Sequence, residues 1–512
     1  VLVSAFLVAL GIATLATRPR TDEERAKRLS HDESYALAEV IYVRLLAQRP
    51  SVPVLLAFLS NHRNGATQAE SRHAGKPGIL TSRAAVMDES TLAAVLAALP
   101  EDLLLVARFV AEDPTPPSVQ DGMVAGARRD PPVPWYNHLL AEEAWEEEKP
   151  SEAAAYFERE GLAFAERRED IDRAVTVWMD IDDWDEVRRQ MRDPRIFAAV
   201  DADTKQRFAQ HEQDWFAAMQ WFARGWRSRL SLAGLAMSGT AALAWGFFCG
   251  RLGKLAERPV RRLAFYLVAF ALGVLSVVPT MALITVEEIK LRLVETGDAV
   301  RDILFFVFGV GLREEASKLL MFALLLPALR KWGDKLDVLV GGAMVGLGFA
   351  AEENLGYLAG GDLHTGLGRF LTANFLHIAM TGVLATALDE LVSDPEGQAA
   401  EFSRTALLVI GLHGAYDFLL SHEEFGGSFM AMAVFIFLTR LFLGAVERAR
   451  RRVDRGLSPL QAFVLASAVV TGVSAAYATV AVGPLNAGLA MAEGLLGEAI
   501  IFAMFVRILR AM

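Results

Sequence analysis

Cysteine is nearly missing from this chain of 512 residues; Cys249, inside an apolar run, is the single one. One cysteine forms no intrachain disulfide, and it leaves the redox compartment unread. Clusters of Cys, His and Asp/Glu at zinc-finger spacing are absent. So is His-Glu-x-x-His, the commonest helical signature of a zinc protease. Positive charge is not in excess either. The 51 Lys and Arg stand against 62 Asp and Glu, a formal net charge of −11. That balance gives no reason to expect nucleic acid as a partner.

What is unevenly supplied is charge along the chain. The sequence is 53% hydrophobic and yet 22% charged, over a length beyond one ordinary domain. Such an average fits a segregated chain, part membrane and part water-soluble. Residues 1–17 are apolar and uncharged, about the minimum for a span. A charged leader and an A-x-A cleavage site are both lacking, so an uncleaved N-terminal transmembrane anchor is expected.

Residues 18–229 read as a soluble, acidic, helical domain holding seven of the nine tryptophans. Apolar residues recur with helical period over 38–46, 54–59, 92–110 and 139–164, the last broken at Pro150. A helix-turn-helix repeat of the tetratricopeptide (TPR) type and an irregular helical array both fit. The stretches 64–77 and 112–134, rich in Gly, Pro and polar residues, are expected to be loops.

After Arg229 the character changes. Apolar segments lie near 230–250, 263–286, 302–329, 338–359, 369–391, 404–421, 427–446, 460–482 and 486–508. With the anchor they predict an all-α, polytopic bundle of about ten spans at the cell membrane. Lys and Arg crowd the loops 251–262, 330–337 and 447–459 and the C-terminal end, and are sparse in the later alternate loops. The positive-inside rule then places both termini in the cytoplasm and residues 18–229 outside. Arg18, Arg20, Lys290, Arg292 and Arg301 run against that path and are outvoted by the later loops.

Inside these spans sit ionisable groups, which are expensive in a bilayer and so point to function. The run Gly311-Leu312-Arg313-Glu314-Glu315-Ala316-Ser317-Lys318 carries two adjacent carboxylates and a lysine. Glu314 and Lys318, four apart, share a helix face and are expected to pair, which leaves Glu315 for another partner. The next spans carry Phe349-Ala350-Ala351-Glu352-Glu353-Asn354, then Asn374 to Thr381 with His377, then His413-Gly414-Ala415-Tyr416-Asp417. Thr381 and Asp417 each lie four residues beyond a histidine and are expected to orient its ring. Along the proposed path Glu314 lies ~18 Å from the outer end of its span, Glu353 ~9 Å, and His377 and His413 ~12 Å. Four consecutive spans thus bring Glu, Glu, His and His to similar depth. Gly342-x-x-x-Gly346 would let two of the helices approach closely.

The set Glu314-Glu315-x-x-Lys318, Phe349-x-x-x-Glu353-Asn354, His377-x-x-x-Thr381 and His413-x-x-x-Asp417 resembles the PrsW family of bacterial intramembrane proteases. That family is grouped with the CAAX prenyl endopeptidases. The resemblance covers about 260–450 and leaves 18–229 unassigned. It implies hydrolysis of membrane-anchored protein substrates within the lipid bilayer, with an anti-sigma factor as the namesake's substrate. The large N-terminal domain departs from the small namesake, and is a candidate to recruit substrate or a regulatory protein.

Peptide hydrolysis at such a site needs water, a base and charge stabilisation. Glu314 or Glu315 is expected to activate the water, and the resemblance favours the first. His377 and His413 would stabilise the oxyanion or protonate the leaving amine, and Asn354 could donate to the oxyanion. Glu353 would orient the imidazoles or join a metal site, since Glu353, His377 and His413 are reasonable Zn2+ ligands. A metal-free mechanism stays equally open from spacing alone. Two other classes use the same residue types: a proton-coupled transporter and a non-catalytic membrane sensor. Against the first, the 260–450 motifs show no internal repeat in the later spans.

Overall fold

The computed structural model describes residues 21–31, 35–73, 86–112, 114–228, 232–287, 293–359, 372–422, 427–450, 457–482 and 499–511, with a few isolated positions. Most of the expected anchor at 1–17 and much of 483–498 lie outside these residues. Among the described residues the chain is helical throughout, without strands. It divides into two compact units, 17–225 on one hand and 1–16 with 226–512 on the other.

The unit 17–225 begins with α1 (Asp22–His31), α2 (Tyr35–Gln48), α3 (Val52–His73), α4 (Glu89–Ala97), α5 (Glu101–Ala111) and α6 (Pro117–Ala127). It continues with α7 (Tyr136–Glu146), α8 (Pro150–Ala163), α9 (Arg168–Asp180), α10 (Trp184–Met191), α11 (Pro194–Ala199), α12 (Ala202–His211) and α13 (Trp215–Ser228). Its larger core gathers Tyr42, Leu55, Phe58, Val106, Val119 and Met123. Helices α7, α8 and α9 pack in sequence, each on the next.

Two stretches expected to be loops are helical over 64–73 and 117–127, and residues 74–77 of the first lie outside the described residues. Residues 64–73 continue α3, because Gly65 packs against Tyr35 and Val86 where a Cβ would collide. Within 112–134, Pro117 starts α6, as proline at a first helical position can. Conversely, the helix expected over 92–110 breaks at Pro100 into α4 and α5. A buried polar group stands between α7 and α8: Glu160, fully buried, accepts from the Trp135 backbone N at 2.5 Å.

The second unit holds α14 (Leu232–Leu252), α15 (Pro259–Leu275), α16 (Val277–Val286), α17 (Ala299–Leu304) and α18 (Leu312–Trp332). They are followed by α19 (Lys335–Ala359), α20 (Asn374–Ser393), α21 (Pro395–Ser421), α22 (Gly427–Ala449), α23 (Pro459–Val482) and α24 (Ala499–Ala511). By length and apolarity alone, four described stretches could cross a bilayer: Pro259–Ile284, Asn374–Ser393, Met430–Ala449 and Pro459–Val480. Arg313, Glu314, Glu315 and Lys318 interrupt the apolar run of α18.

Helices α19 and α20 form the centre, and nearly every residue of α20 from Asn374 to Ala385 is buried. Their close approach is set by Gly342 and Gly346. A Cβ on Gly346 would stand 2.1 Å from the His377 carbonyl oxygen, and one on Gly342 2.2 Å from Ala385 Cβ. At one end of the bundle Arg262, buried on α15, ties to Asp337 at 2.7 Å and Asp334 at 2.8 Å. That clamp fixes α15 to the start of α19.

Candidate functional site

A π-helical stretch, Phe305–Gly311, leads directly into α18. Such segments often accompany functional sites. The first turns of α18 then bury Glu314, Glu315, Ser317 and Lys318. Side chains of that turn meet groups from α20 and α21, and Glu353 of α19 joins them through His377.

Lys318 is the hub. Its Nζ donates to Glu315 Oε1 at 2.7 Å and lies 3.4 Å from Glu314 Oε2. It also stands 2.9 Å from Nδ1 of His377. The expected Glu314–Lys318 pair is therefore present but secondary; Glu315, three residues before the lysine, is the tighter partner. Phe349 closes the hub, with Lys318 Nζ 4.2 Å from its ring centre and the His377 ring against it at 5.3 Å. An ammonium over an aromatic face is attracted by the ring quadrupole, which explains an aromatic at this motif position.

The two imidazoles lie edge to face with centroids 5.4 Å apart. Nε2 of His377 meets Glu353 Oε2 at 3.0 Å. His413 sits among three carboxylates: Nδ1 is 3.0 Å from Glu315 Oε1, and Nε2 is 3.4 Å from Asp417 Oδ2 and 3.6 Å from Glu314 Oε2. Asp417 thus stands beside His413 as its spacing suggested. Thr381 differs from expectation: its hydroxyl faces Glu315 Oε2 at 3.5 Å, a weak contact, and serves the carboxylate. Asn354 also differs, since its Nδ2 donates to Asn374 Oδ1 at 2.8 Å, within the protein.

Sequence reasoning passed over Asn374, although it lies three residues before His377 in a buried run. It also passed over Arg313, whose Nη1 binds Glu287 Oε2 at 2.8 Å on the neighbouring α16 side. Lone polar residues next to a recognised motif were the available signal.

These charged groups, buried together in an apolar helical bundle, are the candidate site. Residues 261–443 match the family described as PrsW family intramembrane metalloprotease. Over this segment, about a third of the chain, the protein is similar to a family of intramembrane proteases. No curated protein and no solved structure matches the chain.

A metalloprotease family implies an ion, and the donor set can be tested for fit. Among the described residues Glu314, His377 and His413 each bring one ligand atom within 4.8 Å of the others. Glu314, rather than the expected Glu353, is grouped with both imidazoles. Glu314 Oε2 is buried and makes no hydrogen bond. One carboxylate and two imidazoles are a suitable zinc set with room for water. The residues fit such an ion.

Proposed function

We propose that the protein hydrolyses peptide bonds of single-span membrane proteins, with Glu314 holding and deprotonating the water. The observation that carries this reading is the difference between the two adjacent carboxylates. Glu315 is engaged by Lys318 and Thr381, whereas Glu314 Oε2 is buried with no hydrogen-bond partner beside His413. A water on that oxygen gives its proton to Glu314 as it attacks the carbonyl carbon, and Glu314 passes the proton to the leaving amine. His413 lines the place where negative charge develops and donates to it, while His377, held between Lys318 and Glu353, fixes the wall beside it. Lys318 holds Glu315 ionised and so keeps His413 in place.

Glu314, His413 and His377 would hold a zinc-class ion, the last once one of its ring nitrogens leaves Lys318 or Glu353. Bound there, it would polarise the scissile carbonyl and acidify water. A carboxylate has two oxygens, so ligation through one leaves the other for the proton transfer.

The positive-inside bias supports a ten-span path with 18–229 outside. On that path the soluble unit, whose successive packed helices resemble a repeat array, recruits substrate or a regulatory protein. Anti-sigma-like regulators are the substrate class favoured by the family resemblance. Membrane-wide cleavage profiling tests the reading. A Glu314→Ala strain should accumulate one or more uncut single-span proteins; an unchanged profile would leave a transporter or sensor as the better account.

A further inference from the structure

A second cluster of metal-ligating side chains lies beyond the candidate protease centre, at the C-terminal end of α21. Ligand atoms of Glu295, Asp302 and His422 all fall within 4.8 Å of one another. Glu295 lies in the connection before α17, Asp302 on α17, and His422 caps the C-terminus of α21. His413 and His422 are nine residues apart, about 13 Å along a helix axis, so this is a separate place.

The cluster is built rather than incidental. Asp302 is fully buried, and its carboxylate is aimed by three neutral donors. Oδ1 accepts from Thr296 N at 2.7 Å and Thr296 Oγ1 at 2.9 Å, and Oδ2 accepts from Gly297 N at 2.9 Å. Such outer contacts are what fixes a metal-binding carboxylate. His422 is 7% exposed, and its ring is stacked on Phe418 at 4.4 Å with Phe306 edge-on at 6.5 Å. Nε2 of His422 stands 3.3 Å from Asp302 Oδ2. That separation is the edge of a tetrahedron with arms of about 2.0 Å, the length of zinc–nitrogen and zinc–oxygen bonds. Glu295, exposed, supplies a third arm from the solvent side.

We propose that Glu295, Asp302 and His422 bind a structural divalent ion of the zinc class, clasping the segment before α17 to the end of α21. One imidazole with two carboxylates suits zinc. Calcium takes six to eight oxygen ligands and magnesium a near-octahedral oxygen shell, whereas the described residues offer one imidazole and two carboxylates. The proposal stands on geometry apart from the proteolytic centre and does not depend on its chemistry.

The test uses the full chain in detergent, carrying His377→Ala and His413→Ala so that the core cannot contribute its imidazoles. After chelator treatment and its removal, zinc is titrated against a chromophoric chelator, with thermal unfolding followed in parallel. The expected result is one zinc per chain and a raised unfolding midpoint with zinc. Adding Glu295→Gln or His422→Ala should abolish both. Glu295 is exposed, so Glu295→Gln keeps the zinc-free midpoint and separates lost binding from lost folding. Should the double variant not fold, the wild type is compared with Glu295→Gln, which should bind one zinc fewer. The proposal is overturned by a folded double variant that binds no zinc, or by zinc stoichiometry unchanged after Glu295→Gln and His422→Ala.

Discussion

Lys318 Nζ stands 2.9 Å from Nδ1 of His377, a residue 59 positions further along the chain. An ammonium has hydrogens and no lone pair, so Nδ1 must accept. The ring hydrogen of a neutral His377 is then on Nε2, where it meets Glu353 Oε2 at 3.0 Å. One lysine thereby sets the tautomer of one histidine of the site and, through Glu315, the surroundings of the other.

Replacing that lysine should be costly in two ways. Lys318→Met keeps the length of the side chain but leaves Glu315 buried without its cation. Removing one partner of a buried pair destabilises by about 3–5 kcal/mol. The thermal midpoint in detergent should fall, and cleavage of the substrates identified by profiling should be lost. Lys318→Arg should not restore cleavage, because a planar fork does not replace a compact ammonium. Full activity in Lys318→Met would remove the hub role.

Gly346→Ala and Gly356→Ala form a matched pair on α19. A Cβ at Gly346 would stand 2.1 Å from the carbonyl oxygen of His377, whereas one at Gly356 meets nothing within 4 Å. Alanine favours a helix over glycine by about 1 kcal/mol. Gly356→Ala should therefore be neutral or stabilising. Gly346→Ala should push α20 away, lower the midpoint, and cut cleavage by about 100-fold, as a misplacement of about 1 Å can. Equal behaviour of the two variants in a parallel melt and cleavage assay would contradict the packing argument.

The site was more legible in the sequence than the fold around it. Glu314, Glu315, Lys318, His377 and His413 stood out because ionisable groups in apolar runs have no bland explanation when several share a depth. The partnerships within the set were less legible. Spacing on α18 favoured Glu314 as the lysine's partner, yet three residues and four residues both bring side chains to one helix face, and the neighbouring helices decide between them. Thr381 was assigned to its own helix's histidine, but burial turned it toward Glu315. In the unit 17–225, Gly65 and Pro117 stand in stretches whose composition predicts loops. Their effects depend on tertiary contact: Gly65 lets Tyr35 approach, and Pro117 opens a helix.

Glu160 gives the soluble unit a pH dependence of predictable sign. Burial pushes its pKa above the ordinary 4.5, and nearby Asp170 adds to that, while the Trp135 N–H works against it. With the folded value raised above the unfolded one, this group's contribution is whole below about pH 4.5 and fades as pH climbs through the raised value. Glu160→Gln should therefore gain stability relative to wild type as pH rises across that window. Tryptophan fluorescence during denaturation reads it, since seven of nine tryptophans lie in 18–229. A difference that does not change with pH would exclude the assignment.

The side of the soluble unit can be read by labelling. Cys249 is fully buried, so a cysteine placed at exposed Ser151 is labelled selectively. On the proposed path, Ser151→Cys in intact cells reacts with a membrane-impermeant maleimide. Labelling only after the membrane is opened would put the unit in the cytoplasm and reverse the path.

The adjacent carboxylates should separate cleanly by what each substitution damages. Glu314→Gln removes the proton acceptor but leaves the Lys318–Glu315 contact of 2.7 Å intact. Cleavage should fall by about 100- to 10,000-fold, the range for loss of a positioned acid–base group, while the thermal midpoint holds. Glu315→Gln strikes the group that joins Lys318, His413 and Thr381. It should lower the midpoint, and the surviving folded fraction should lose activity through misplaced imidazoles. Measuring turnover and melting on the same preparations distinguishes them. If Glu315→Gln proves stable and inactive while Glu314→Gln still turns over, the water belongs to Glu315, and Glu314 is left as a ligand or a charge partner.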